Sequence, residues 1–272
     1  MPSIGYFCIG LNCITMHILS IHTDNIEREH ICCAIGNDKE NTRRAQGKKD
    51  WLRDRFAEGL VFKRFDARGK IFIEYMPIET VWKPLTGKNF MIINCLWVSG
   101  QFKGQGLSKQ LLDECLHDAR SAGMAGVAVV TSTKVKPFLT DKKFYLRHGF
   151  ETVDTAPPYF ELLALKFRPD APDPHFADHV KNGSTHQARP GFTFAYSNQC
   201  PFMEDYGGRI YVEMARQHGF EAQAIQLKSF EEAQQLGSPF GTFGAWFDGA
   251  FQFHELMTEA KFEQYLILLK NG

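Results

Sequence analysis

Gln101-Phe102-Lys103-Gly104-Gln105-Gly106 follows an apolar run, Met91 to Val98. It precedes an amphipathic stretch with Leu107, Leu111, Leu112, Cys115, Leu116 and Ala119 on one stripe. Two glycines where a strand turns into a helix let successive backbone N–H groups face one point with no Cβ in the way. The positive end of the helix dipole lies behind them. Such a turn is an anion cradle, suited to a phosphate or pyrophosphate. Spacing excludes two phosphate loops. The dinucleotide fingerprint needs a further glycine three residues after the second, where Lys109 stands. The Walker loop ends in Gly-Lys-Ser/Thr, and this chain reads Gly106-Leu107-Ser108.

Other residues carry chemistry less specifically. Tyr145 lies in Phe144-Tyr145-Leu146-Arg147-His148-Gly149-Phe150, as a core ring or as an acid. Glu74 stands mid-strand in Ile71 to Met76, where a charge faces solvent or a cleft; solvent is the expected direction. Cys200 follows a strand and opens a helix with Pro201 in its first turn, a place that favours a thiolate. Met203 occupies the end of what would be a Cys-x-x-Cys pair, so the choice there is single-thiol chemistry or packing. His30-Ile31-Cys32-Cys33 has ligands for a soft metal, but its spacing fits no structural zinc site, and buried apolar cysteines are expected. His254-Glu255 opens like a zinc-protease helix, yet Thr258 replaces the second histidine, so no metal is expected.

These residues need elements to hold them. A strand near Met16 to His22 leads to helical stretches at Asn25 to Ile35 and Asn41 to Glu58. Leu60 to Asp66 and Lys70 to Met76 read as an antiparallel pair turning at Ala67-Arg68-Gly69. Gly126 to Thr131 is a Val-rich run typical of a buried strand. A short helix, Asp141 to His148, ends at Gly149, and Phe150 to Val153 and Phe160 to Phe167 close the set. Residues 169–189, opening on Pro169-Asp170-Ala171-Pro172-Asp173-Pro174, read as a linker. A second unit follows in the order β-α-β-α-β-β-α, with Ser229 as a helix cap and Asp248-Gly249 as a hairpin turn.

The chain has 272 residues, 44% of them hydrophobic, with 31 basic against 31 acidic side chains. That length supports two cores. Neutral balance gives no electrostatic reason to expect nucleic acid or an anionic membrane. No apolar run reaches spanning length. The seven cysteines lack a spaced framework, which suits a reducing, cytoplasmic setting. Residues 1–15 read as a loose extension without a basic leader, and translation is expected to start at Met1 or Met16.

Val98, Gln101, Gly104 and Gly106, together with the Phe-Tyr-x-x-x-Gly-Phe end at Phe144 to Phe150, resemble the GNAT superfamily of N-acetyltransferases. The whole layout is similar to acetyltransferases bearing a YoaP-like C-terminal domain. The resemblance implies a mixed α/β architecture: a GNAT acyl-CoA N-acyltransferase fold over residues 1–168, followed by a small thioredoxin-like α/β domain over 190–272. It implies acetyl-CoA as co-substrate, held by Leu96, Trp97, Val98, Gln101, Phe102, Lys103, Gly104, Gln105, Gly106, Leu107, Ser108 and Tyr145. The pyrophosphate would lie on the amides of residues 103–107 and the thioester carbonyl near the N–H of Val98. Tyr145 would protonate the departing thiolate. Phe138 stands where many relatives have an asparagine toward the pantetheine arm. Glu74 is a candidate base. The implied partner is a small-molecule or peptide amine, with no nucleic acid or membrane; homodimerisation is left open. Pro239 occupies the place of a thioredoxin-like cis-proline, and a thiol-redox or thiol-binding protein using Cys200 is the alternative.

Overall fold

The computed structural model describes residues 4–9, 12–31, 33–181 and 189–271. By contacts the chain divides into two units. Unit 1 comprises Met1–Thr80, Thr86–Asp154 and Glu161–His175; unit 2 comprises Val81–Leu85, Thr155–Phe160 and Phe176–Gly272.

Unit 1 is built on an eight-stranded sheet of order β1-β2-β3-β4-β6-β7-β9-β8. Its strands are β1 (Ile4–Ile9), β2 (Asn12–Ile21), β3 (Val61–Phe65), β4 (Ile71–Pro77), β6 (Phe90–Val98), β7 (Gly126–Ser132), β8 (Glu151–Ala156) and β9 (Phe160–Lys166); β5 (Leu85–Thr86) stands outside it. Every residue of β7 is buried, as a strand covered on both faces requires. Helix α2 (Leu107–Ser121) lays Leu107, Leu111, Leu112, Cys115 and Ala119 into the core against Ile73, Tyr75, Ile93 and Val127. Helix α1 (Lys39–Arg55) starts at Asp38, whose side chain accepts from Asn41 N, and buries Lys48, Trp51 and Leu52. Helix α3 (Lys142–Leu146) is closed by Gly149 at φ +83°.

Three expectations are corrected. Residues 4–9 and 12–15 form part of an antiparallel hairpin, not a loose extension, because Ile4, Tyr6, Ile14 and Thr15 favour a pleated ladder. The described residues between Asn25 and Ile35 are not helical. Asn25 accepts from His22 N through Oδ1 and donates to Ser20 O through Nδ2, so local side-chain bonds hold turns instead. The expected linker carries β10 (His175–Phe176) and α4 (Asp178–Lys181), where Phe176 and Val180 are buried. Residues 182–188 and Cys32 lie outside the described residues.

Unit 2 holds β11 (Phe192–Tyr196), α5 (Met203–Asp205), α6 (Tyr211–Gln217), β12 (Ala222–Gln226), α7 (Phe230–Gln234), β13 (Phe243–Phe247), β14 (Ala250–Phe253) and α8 (Glu259–Asn271). The sheet order is β12-β11-β13-β14, with β11–β12 parallel and the other pairs antiparallel. A π-helical stretch, Tyr206–Ile210, joins α5 to α6. A Cβ on Gly207 would lie 2.7 Å from the Phe243 ring, so the helix reaches the sheet only because that residue has no side chain. Gly207→Ala is expected to destabilise unit 2 by roughly 1–3 kcal/mol through overpacking. Thermal unfolding checks this; an unchanged midpoint would mean that the close approach is not needed.

No helix among the described residues is long and apolar enough to cross a membrane.

Candidate active site

The register of β6 builds the site. Against β4, Glu74 pairs with Cys95 and Tyr75 with Ile93, so Asn94 is the extra residue of a β-bulge. On the other side β6 runs parallel to β7 from Phe90↔Gly126 to Ile93↔Val129, and the described ladder stops there. Both strands continue, to Val98 and Ser132, so they part beyond the bulge.

Backbone groups face that opening. Ser99 N donates to Lys70 O on the β4 side, and strand alternation turns the Val98 N–H the other way. Leu96 O points to the same side, where Thr140 Oγ1 donates to it at 2.9 Å. Tyr145 reaches the opening from α3 and is fully buried. Its hydroxyl meets no protein partner, since Thr140 gives its proton to Leu96 O. Burial pushes the Tyr145 hydroxyl well above its ordinary pKa, and the neighbouring Thr140 side chain pulls the other way. Both polar atoms of the Asn94 carboxamide and Trp97 Nε1 are likewise shut off from solvent without a protein partner among the described residues.

At the end of β6 the chain makes a 3-10 turn over Gly100–Phe102 and enters α2. Gly104 and Gly106 both sit at φ +77°, a conformation that strains any residue with a Cβ. Gly106 is the N-cap of α2, and no side chain caps the amides beyond it. The Lys103 amide is committed to Gly100 O at 3.2 Å, so the cradle narrows from residues 103–107 to 104–107. Leu96, Phe102 and Leu107 bury their side chains and offer only backbone, whereas Lys103 and Gln101 are exposed. An open cleft of about 400 Å³ joins Lys103, Gly104, Gly106 and Ser108 to Phe144, Arg147 and His148 beside α3. Arg147 is a cation that sequence reasoning passed over. Its place between Tyr145 and the helix-closing Gly149 was the available signal.

Glu74 does not face solvent. It is 1% exposed and ion-paired with Lys48, which is 2% exposed and stands 4.4 Å from the centre of the Trp51 ring. Helix α1 covers the face of β4 on which Glu74 stands, so its carboxylate is held and is no free base.

His30 is a brace. Arg64 Nη2 donates to its Nδ1 at 3.1 Å, which leaves Nε2 to donate to Gly69 O at 3.1 Å. Burial pushes its pKa down and keeps the ring neutral.

In unit 2 the expected thiol geometry is not found. Cys200 lies half-buried in a turn, and the helix starts only at Met203, with Met203 N donating to Cys200 O. The cis peptide among the described residues is Pro157–Pro158, so Ser238–Pro239 is trans. Pro239 instead takes the second place of a turn closed by Gly241 N to Ser238 O at 3.1 Å, where a trans proline fits. His254 is buried and bonded to the Tyr159 hydroxyl at 2.6 Å, ahead of α8.

Comparison with known proteins bears on this arrangement. Residues 67–152 match the family described as Acetyltransferase (GNAT) domain, and residues 222–264 match the family described as YoaP-like. The chain is 43% identical over 251 residues to an uncharacterised N-acetyltransferase, YoaP, of Bacillus subtilis (strain 168), covering 92% of this chain and 98% of that protein. Among solved structures it is similar to the PaiA N-acetyltransferase of Thermoplasma acidophilum in complex with coenzyme A. That match has 17% identity and a TM-score of 0.40, over 57% of this chain and 100% of that one. A GNAT family acetyltransferase of Brucella melitensis in complex with acetyl-CoA matches at 22% identity and a TM-score of 0.37, over 60% and 96% of the two chains. A relative this similar over its whole length, with a GNAT match spanning the bulged strand, the glycine turn and α3, makes the chain a member of the GNAT N-acetyltransferases, CoA-dependent acyl-transfer enzymes, in the branch with a YoaP-like C-terminal segment.

Proposed function

We propose that unit 1 transfers an acetyl group from acetyl-CoA to the amine of a small molecule or peptide, with the thioester lying in the β6–β7 opening. The observation that carries this is the end of the β6–β7 ladder at Ile93↔Val129, between a glycine cradle and a buried tyrosine hydroxyl. The residues fit the co-substrate. The amides of 104–107 and the α2 dipole suit the pyrophosphate, with Lys103 and Arg147 adding charge. The Val98 N–H faces the opening and suits a thioester oxygen, whose negative charge grows as the amine attacks. Tyr145 supplies the proton that the departing thiolate needs. Acetyl-CoA brings the activated acyl group; the chain binds, orients and moves the proton.

The second unit's strand order, with β11 parallel to β12 and antiparallel to β13, supports reading residues 190–272 as a thioredoxin-like domain. The turn at Cys200 and the trans Pro239 give the thiol-chemistry alternative no support.

The test combines acetyl-CoA calorimetry with a CoA-release assay over amines, amino acids and aminothiols. Gly106→Val must adopt a left-handed conformation that costs roughly 1–2 kcal/mol in a residue with a Cβ, so acetyl-CoA affinity is expected to fall about ten-fold or more. Unchanged affinity in a folded variant would remove the cradle from the site. Wild type that neither binds acetyl-CoA nor releases CoA with any acceptor would remove the reading itself.

A further inference from the structure

A second cleft of unit 1, of about 390 Å³, shares no residue with the cleft at the glycine cradle. Residues 28–31 and 34–37 make its first wall. The second is one side of α1, where Thr42, Ala45, Gln46 and Lys49 recur at helical spacing. Arg68, in the turn between β3 and β4, makes the third. Ile31 and Ala34 are buried and Ile35 and Ala45 half-buried, so part of the lining is apolar. Charge is sorted around this space. The carboxylates nearby are committed: Glu29 to Arg64 at 2.5 Å, Glu27 to Arg53, and Glu40 to Arg44 at 3.4 Å, while Asp38 caps α1. The cations that line the cleft are not. Lys49 Nζ donates to Glu27 O and Arg68 Nη2 to Asn37 Oδ1, each at 2.9 Å, and both acceptors are neutral. Arg28 is exposed, and no ion pair reaches any of the three among the described residues. Burial keeps His30 neutral, so it adds no charge. The whole chain balances 31 basic against 31 acidic groups, so three unanswered cations on one cleft reflect placement rather than composition.

We propose that this cleft is a binding site for a small organic anion, one that carries a carboxylate or phosphate on an apolar body. Cations gathered around one space repel one another, and an anion between them relieves that repulsion. The planar forks of Arg28 and Arg68 suit the paired oxygens of a carboxylate or phosphate, and Lys49 adds a point charge. The apolar lining suits the rest of the molecule. The walls are braced, as a preformed site requires: His30 Nε2 donates to Gly69 O, and Asn37 joins the first wall to Arg68. Ser99 N donates to Lys70 O, so the turn that carries Arg68 is tied to the end of β6. Two sources share this chemistry, an acidic group on the amine acceptor and a separate anion. The binding itself uses no residue of the cradle and stands without the acetyl transfer proposed above.

Hexanoate, hexyl phosphate, inorganic phosphate and hexanol are titrated into the full chain by calorimetry at low salt. Wild type is compared with Arg28→Gln, Arg68→Gln, the two combined, Arg28→Lys with Arg68→Lys, and Gly106→Val, each with its unfolding midpoint. Hexanoate is expected to bind more tightly than hexanol, and hexyl phosphate more tightly than inorganic phosphate. Each glutamine is expected to weaken hexanoate about three-fold and the pair about ten-fold, the scale of partly exposed ion pairs, with midpoints unchanged. Lysine at both positions keeps the charge and loses only the fork, so affinity is expected within about two-fold of wild type. Gly106→Val is expected to leave hexanoate binding unaltered while it weakens acetyl-CoA, so the two sites fail separately. Hexanoate that raises the KM of an accepted amine at constant kcat makes the anion the acceptor's own end. Hexanoate that binds with KM unchanged makes it a separate ligand, and either result supports the site. Hexanol binding as tightly as hexanoate, inorganic phosphate as tightly as hexyl phosphate, or a folded double glutamine variant with wild-type affinity overturns the proposal. Hexanoate binding lost in Gly106→Val and kept in the double glutamine variant would put the anion in the cradle and overturn it as well.

Discussion

Tyr145→Phe is expected to lower kcat by roughly 10²–10³, the range of a positioned general acid, while acetyl-CoA affinity stays within about two-fold. The argument begins with burial. The ring is enclosed by Phe144 and Phe150, and removing one oxygen leaves that packing intact. The hydroxyl bonds to no protein group, so its loss leaves nothing unmet, and the unfolding midpoint is expected to stay level or rise. Burial raises the hydroxyl above its ordinary value of 10.0, so the proton is in place across the working range. The same dry surroundings raise the basicity of a thiolate leaving beside it, and that drives the transfer. An ionising Tyr145 would produce a falling alkaline limb; none is expected from it below about pH 10. Steady-state kinetics, calorimetry and a pH profile on the two proteins decide the matter. An unchanged kcat removes Tyr145 from the chemistry, and a collapsed affinity with unchanged kcat makes it a binding residue.

The parts of this site that were legible in the sequence are those encoded locally. Gly104 and Gly106 announce positive φ by being glycine, and the stripe Leu107 to Ala119 announces the helix behind them. Tyr145 is marked by the residues around it and by Gly149, which ends its helix. What stayed hidden depends on register and on partners far along the chain. The bulge at Asn94 exists only in the pairing of β6 with β4, and nothing in Asn94-Cys95-Leu96 marks it. Glu74 meets Lys48 across 26 positions, a contact that the alternation of a single strand does not contain. Glu74 shares its face of β4 with Phe72 and Met76, a lone charge among apolar neighbours, and the strand alone does not say that α1 lies over it. In unit 2 the element order was readable, whereas the conformation at Ser238–Pro239 was set by a turn to Gly241.

The buried pair carries the largest expected effect on stability. Lys48→Met would leave the Glu74 carboxylate enclosed without its cation, a loss of roughly 3–5 kcal/mol by the behaviour of buried pairs from which one partner is removed. For a protein of this size that is on the order of 10 °C in the unfolding midpoint of unit 1. Lys48 also stands over the Trp51 ring at 4.4 Å, and methionine keeps most of the apolar stem there, so the loss reports the charge more than the packing. Glu74→Leu alone strands the ammonium in the same way. Joining the two substitutions should return most of the lost stability, because an apolar pair of similar volume avoids the desolvation that both ions otherwise carry. The double-mutant cycle therefore measures a coupling that neither single change shows. Activity separates this pair from the chemistry. With the carboxylate held by Lys48 it takes no proton from the amine, so the double variant, refolded to near wild-type stability, is expected to keep kcat within about ten-fold, less than a general base contributes. A double variant that is stable but inactive would make Glu74 the base after all. Single variants that unfold at the wild-type midpoint would mean that water reaches the pair and that α1 does not seal this face of β4.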